Sequence, residues 1–140
     1  MNKIIPVLCL IFAIAACGDD NPADSGRPVV NQTFNLSSGS IEDFSFTVDT
    51  DLQQNVILQG EFSVENGTIQ MAVMGEDQYQ TWIEGGTPTV LYSPGETSGE
   101  TFRLPIYDSD TYYIVFRNAG ANTVTVEAEI FLLSTTEQDV

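Results

Sequence analysis

The sequence predicts an all-β domain: an antiparallel β-sandwich, jelly-roll-like, with about eight strands and one short helix at residues 76–84. Three observations indicate this class. Apolar residues recur at every second position in one segment after another, which is the period of a strand with one face on a core. Clusters of Gly, Asn, Asp and Ser separate these segments, and no long helical period intervenes.

The first strands follow this period closely. A strand is predicted at 32–36, and in the next one, 41–49, three apolar residues alternate with polar ones: Phe44, Phe46 and Val48. Residues 56–64 repeat the pattern, with Val56, Leu58, Phe62 and Val64 on one face. Each segment is therefore expected to place one face on the core and the other in solvent.

An Asn-Gly pair follows the third strand. Asn66 and Gly67 stand between two apolar runs, and such a pair favours a tight hairpin because its central residues adopt positive φ. The return strand is expected to begin at Ile69 and to place Met71 and Val73 on its core face.

A helical period follows that strand. Tyr79, Trp82 and Ile83 stand at positions i, i+3 and i+4, acids occupy the first turn, and a Gly-Gly pair ends the segment. This helix is expected to lie across one end of the sandwich as a lid, with its aromatic rings facing the core. The alternative is that Tyr79 and Trp82 form an aromatic platform for a sugar or a peptide.

The second half of the chain returns to the strand pattern. Strands are predicted at 89–92, 100–106, 111–117 and 123–132. In residues 111–117 apolar side chains occupy both faces, which is typical of a central strand that is covered on each side.

The charge of the chain is strongly acidic. Its 140 residues include twenty Asp and Glu, four Lys and Arg and no His, which gives a net charge of −16. Nucleic acids and anionic lipid surfaces are bound through basic patches, so neither is an expected partner.

The first sixteen residues predict an export signal. Lys3 lies in a short polar start, and the apolar run that follows is too short to span a bilayer. Ile14-Ala15-Ala16-Cys17 resembles the bacterial lipobox, in which the cysteine is acylated and becomes the mature amino terminus. Acylation at Cys17 would anchor the protein durably in a membrane, and removal of the leader leaves a charge of −17.

These features divide the chain into three parts. Residues 1–16 form the signal peptide, residues 17–29 the lipidated cysteine and a polar tether rich in Pro and Gly, and residues 30–140 the β-sandwich. Gly18 follows the cysteine and acids begin only at Asp19, a pattern similar to that of lipoproteins sent to an outer membrane or the cell surface. The protein is therefore expected in the bacterial cell envelope.

Three blocks of sequence share features with a known group of modules. They are Gly67–Met74, Tyr79–Trp82 with Gly85, and Asp110–Asn118. With the valine-rich closing strand, they resemble pre-peptidase C-terminal domains and the related GOLD-like domains over residues 60–133. The resemblance implies a β-sandwich fold, a noncatalytic role in contacting cargo or a partner, and calcium binding in some members.

The side-chain inventory limits the chemistry of the domain. Without its leader the chain has no His, no Lys and no Cys besides Cys17, which excludes serine and cysteine triads, Schiff-base lysines and His-ligated zinc. No cofactor is expected. Calcium is the one candidate ion, with Asp108 and Asp110 as its best ligands among three acidic clusters; the others are Asp49–Asp51 and Glu76–Asp77. The alternative is that these acids only form turns and add surface charge.

The sequence thus predicts a lipid-anchored, noncatalytic binding module that contacts an envelope protein or a glycan. Two alternatives stay open: a small carboxylate-dependent glycan hydrolase and a passive acidic coat lipoprotein. The sequence does not identify the residues that would bind the partner.

Overall fold

A computed structural model describes residues 26–136. The predicted signal peptide, the lipidation site Cys17 and the tether up to residue 25 lie outside the described residues. The strands are β1 (Arg27–Leu36), β2 (Ile41–Val48), β3 (Gln53–Glu65), β4 (Ile69–Gly75), β5 (Tyr92–Thr97), β6 (Gly99–Pro105), β7 (Asp110–Arg117) and β8 (Val124–Thr136), and the helix is α1 (Glu76–Ile83). Within this part of the chain no helix is long and apolar enough to cross a membrane.

The strands form two antiparallel sheets of four strands each. Sheet A has the order β1-β8-β3-β6, and sheet B has the order β2-β7-β4-β5. Strands at opposite ends of the chain pair with each other, as in β1 with β8 and β2 with β7, while successive strands mostly alternate between the sheets. This is the arrangement of a jelly roll, and the predicted all-β sandwich of eight strands with one short helix is confirmed.

The core lies between the sheets and contains the side chains that the period of two selects. The buried residues at predicted core positions are Phe46, Val48, Val56, Leu58, Phe62, Ile69, Met71, Val73, Phe102, Ile106, Val124, Val126, Ala128, Ile130 and Leu132. Phe116 is fully buried among them. The rings of Phe34, Phe44 and Phe62 meet it nearly edge-on, with centroids 5.5, 6.0 and 5.6 Å away.

The turn at Asn66 and Gly67 does not close a hairpin. Its positive φ values, 75° and 151°, agree with the prediction. However, β3 ends at Glu65 in sheet A, whereas β4 begins at Ile69 in sheet B. The predicted hairpin is wrong because the turn residues specify only a reversal of the chain, and burial of both apolar faces decides which strands pair.

Several strand boundaries also differ from the prediction, and those of β5 and β1 differ in ways that affect the fold. β5 spans Tyr92–Thr97 instead of 89–92, because the chain first crosses the outer side of sheet B and joins β4 only at Leu91, whose N–H donates to the carbonyl of Val73. β1 begins at Arg27, so it includes three residues that the sequence pattern assigned to the tether.

The helix packs on the outer face of sheet B. It ends before Gly85, whose φ of 96° stops the helix as predicted. None of its residues is buried, and Tyr79 stacks on the outward ring of Tyr113 in β7 with centroids 3.9 Å apart. The predicted lid over the core is therefore wrong, because β4 runs directly into α1 and the helix folds back over the sheet. The same packing leaves Val115 only 3% exposed, so the predicted coverage of β7 on both faces is confirmed.

Candidate binding face

The outer faces of the two sheets differ. On sheet B, α1 contacts β4 and β7. On sheet A the outward side chains are exposed or half-buried, and no helix of the described chain lies over them. We call this surface the open face; it consists of Gln59, Glu61 and Ser63 on β3, Thr101 and Arg103 on β6, and Glu127, Glu129 and Phe131 on β8.

A row of polar side chains crosses the middle of the open face. Glu61 lies opposite Glu129 on one side and opposite Thr101 on the other. Directly opposed residues of antiparallel strands have their Cβ atoms about 4.5–5.5 Å apart, and like charges in that position destabilise the pairing. Within residues 26–136 no arginine forms an ion pair with either carboxylate. A partner that donates hydrogen bonds to both would reduce this repulsion.

The neighbouring row adds a cation and an aromatic ring. Gln59 lies between Phe131 of β8 and Arg103 of β6. The Nε of Arg103 donates to the side-chain oxygen of Gln59 at 3.2 Å, which positions the guanidinium beside the carboxylate row. The two rows together offer several acceptors, one strong donor group and one apolar ring surface.

Two shallow hollows lie along these rows. The larger, about 490 Å³, is lined by Gln59, Gly60, Glu61, Thr101, Phe102, Arg103, Glu129 and Phe131. The smaller, about 290 Å³, extends the surface towards Ser63 and Glu127. Gly60 permits the close approach of β3 to β8, since a Cβ there would lie 2.3 Å from the carbonyl oxygen of Glu129. Any larger residue would force the two strands apart and disturb both rows.

The predicted calcium ligands lie elsewhere: Asp108 is in the loop between β6 and β7, and Asp110 is the first residue of β7. Asp108 and Asp110 are both exposed. One carboxylate oxygen of Asp110 accepts the N–H of Thr111 at 2.7 Å, and the carbonyl of Asp108 accepts the hydroxyl of Tyr112 at 2.6 Å. Burial, followed by the charges of Asp110 and Asp108, raises the pKa of Tyr112. No group of three or more Asp, Glu, Cys or His in residues 26–136 is arranged to hold a metal ion, and calcium binding here stays a prediction.

The three acidic clusters gather at one end of the sandwich. Thr50, the middle residue of the first cluster, donates its N–H to the hydroxyl oxygen of Ser109 at 2.8 Å. The Glu76–Asp77 cluster begins directly after Gly75, where a Cβ would lie 2.8 Å from a carboxylate oxygen of Asp110. The sequence pattern places these clusters in separate loops, and only the jelly-roll topology brings the loops to the same end.

The open face could not be identified from the sequence. Its residues are the polar positions of strands with a period of two, and every solvated sheet face has such positions. The register that sets Glu61 opposite Glu129, and Gln59 opposite Arg103, depends on pairing between strands that are distant in the chain. No local motif marks it.

Comparison with models of known protein families and with curated proteins finds no match to this chain. The resemblance to pre-peptidase C-terminal and GOLD-like domains stays a prediction.

Proposed function

We propose that this protein is a noncatalytic binding module, anchored by lipid in a bacterial cell envelope, that holds a glycan on the open face. The observation that carries the proposal is the contrast between the two outer faces. One face is packed under α1, whereas the other exposes two ordered rows of polar side chains around shallow hollows.

The chemistry of the open face suits a hydroxyl-rich, uncharged partner. Its carboxylates and the Gln59 amide accept hydrogen bonds from sugar hydroxyls, and Arg103 donates to ring or hydroxyl oxygens. Phe131 adds an apolar surface for the C–H face of a sugar ring. The charge of −17 without the leader repels polyanions, so a neutral glycan is favoured over an acidic one.

The anchor is proposed at Cys17. Strand β1 begins at Arg27, whose guanidinium donates to the carbonyl of Thr47 at 3.4 Å, close to the end where the acidic loops gather. Attachment through Cys17 would therefore join the sandwich to the membrane at that end, through the tether. Cys17→Ala should move the protein from the membrane fraction to the soluble fraction, and a mature chain that mass spectrometry finds starting elsewhere without lipid would refute the anchor.

A carboxylate-dependent glycan hydrolase is the second candidate, because the register sets Glu61 opposite Glu129. Retaining glycosidases hold two carboxyl groups about 5–5.5 Å apart. Both carboxylates project from the same exposed sheet surface, beside shallow hollows, whereas this reaction requires carboxyl groups that flank the glycosidic bond. Binding is therefore preferred to turnover.

Calorimetry with neutral and acidic envelope polysaccharides tests the proposal. Glu61→Gln and Arg103→Gln should each weaken binding of a neutral glycan about tenfold, the effect of losing one charge-assisted hydrogen bond. The matched controls Glu42→Gln and Arg117→Gln lie on sheet B and should bind normally. Binding that no open-face variant weakens would refute the proposal, and sugar release abolished by Glu61→Gln would favour the hydrolase instead.

A further inference from the structure

A separate hollow lies on the other sheet, between α1, the segment 84–91 that follows it, and the outer face of β4 and β7. It has a volume of about 240 Å³. Its apolar walls are formed by Ala72, Met74, Trp82, Pro88, Val90 and Val115. Gln70 and Arg117 are among its polar lining residues. We call this hollow the Trp82 pocket.

Contacts outside the pocket hold its walls in place. The stacking of Tyr79 on Tyr113, with ring planes within 5° of parallel, fixes α1 and so the position of Trp82. The main-chain N–H of Thr89 donates to the side-chain oxygen of Gln78 at 2.7 Å, which ties the following segment to the helix. The pocket is therefore formed by ordered elements before any ligand binds.

One positively charged side chain lines the pocket. Arg117 is exposed at the end of β7, opposite Gln70 of β4. Its guanidinium has no hydrogen-bond or carboxylate partner among residues 26–136. A guanidinium binds a carboxylate through two parallel hydrogen bonds, and the Gln70 amide can donate a third.

We propose that the Trp82 pocket binds a small apolar carboxylate, with its ring or branched chain against Trp82 and its carboxylate on Arg117. The volume supports this size, because a dry apolar cavity of about 150 Å³ holds a benzene molecule and the pocket has about 240 Å³. Charge supports the orientation, because Arg117 is the one charged residue among those that line the pocket. This site is independent of the open face and of its proposed glycan.

The fluorescence of Trp82 provides a direct assay, because this residue is the only tryptophan of the chain. Titration of the full protein with 3-phenylpropanoate should give a saturable change in emission. The uncharged 3-phenylpropanamide has the same ring and should bind at least tenfold more weakly. No saturable change, or equal binding of acid and amide, would overturn the proposal.

Variants test separately the contact of the ligand's carboxylate and the contact of its apolar group. Arg117→Gln should remove the preference for the acid over the amide, and Ala72→Leu should fill the pocket and weaken both probes. Arg103→Gln removes the same charge from the opposite sheet and should leave the titration unchanged. If Arg117→Gln keeps the preference, the proposal is wrong even where the open face binds its glycan as expected.

A free carboxylate beside an apolar group also occurs at the end of a polypeptide. A pentapeptide that ends in phenylalanine therefore forms a further arm of the titration. Binding as tight as that of 3-phenylpropanoate identifies a protein carboxyl terminus as the source. Binding of the small acid alone identifies a free organic acid, and both results support the proposed chemistry.

Discussion

Replacement of Phe116 by alanine should destabilise the protein more than any change on its surface. Phe116 is fully buried between the sheets, and three other phenylalanine rings contact it edge-on. A buried Phe→Ala change costs about 3–5 kcal/mol, and each aromatic pair contributes about 0.5–1.5 kcal/mol beyond its buried area. The upper part of that range, about 4–5 kcal/mol, is therefore expected, against a total stability of about 5–15 kcal/mol for a typical domain.

The assay is urea denaturation followed by circular dichroism, with the spectrum of a β protein as the starting signal. Phe116→Leu keeps most of the apolar volume and should lose only about 1–2 kcal/mol. Phe131→Ala removes a half-buried ring from the open face and should lose about 1 kcal/mol or less. If Phe116→Ala and Phe131→Ala unfold at the same urea concentration, the placement of Phe116 at the centre of the core is refuted.

Three further predictions concern Tyr79, Asn118 and the acids Asp108 and Asp110. Tyr79 donates its hydroxyl to Asp43 at 2.5 Å, and this bond, with burial, raises its pKa to about 12. Because the folded state favours the neutral phenol, the Tyr79–Asp43 bond stabilises the fold fully below pH 10, and this stabilisation is lost between pH 10 and 12. In thermal melts, Tyr79→Phe should therefore abolish the part of the alkaline loss of stability that Tyr79 causes. Asn118 is buried and bonds three main-chain groups, so Asn118→Ala should lose about 2–4 kcal/mol in urea denaturation. If Asp108 and Asp110 are calcium ligands, changing both to Asn should abolish the calorimetric heat of Ca²⁺ binding. Equal heats in the natural protein and the double variant would show that the two acids do not bind calcium.

The inward face of each strand could be predicted because it depends on short-range sequence alone. Alternation along β3 selects Val56, Leu58 and Phe62, and all three are buried. The end of α1 could also be predicted, since Gly85 adopts the positive φ that a helix stop favours. These features are set by residues within a few positions of one another.

The neighbours of each strand could not be predicted in the same way. Asn66 and Gly67 favour a turn whether the next strand pairs with β3 or crosses to the other sheet, and only the assembled core decides between them. The helix shows the same limit. Its spacing places Tyr79 and Trp82 on one side, but the outward ring of Tyr113, which Tyr79 contacts, lies more than thirty residues away in the chain.

Each of the two proposed sites contains one arginine. Arg103 lies on the open face and Arg117 lines the Trp82 pocket, and neither forms an ion pair in the described part of the chain, although acids are abundant there. Scarcity of carboxylates therefore does not explain why these guanidinium groups form no ion pair in residues 26–136. The strands hold them on opposite sheets, each beside a hollow. If the two sites are independent, replacing the arginine of one site should leave ligand binding at the other site unchanged. Arg103→Gln should weaken only the glycan, and Arg117→Gln only the small acid, whereas loss of both ligands in either variant would mean that the sheets are coupled through the core.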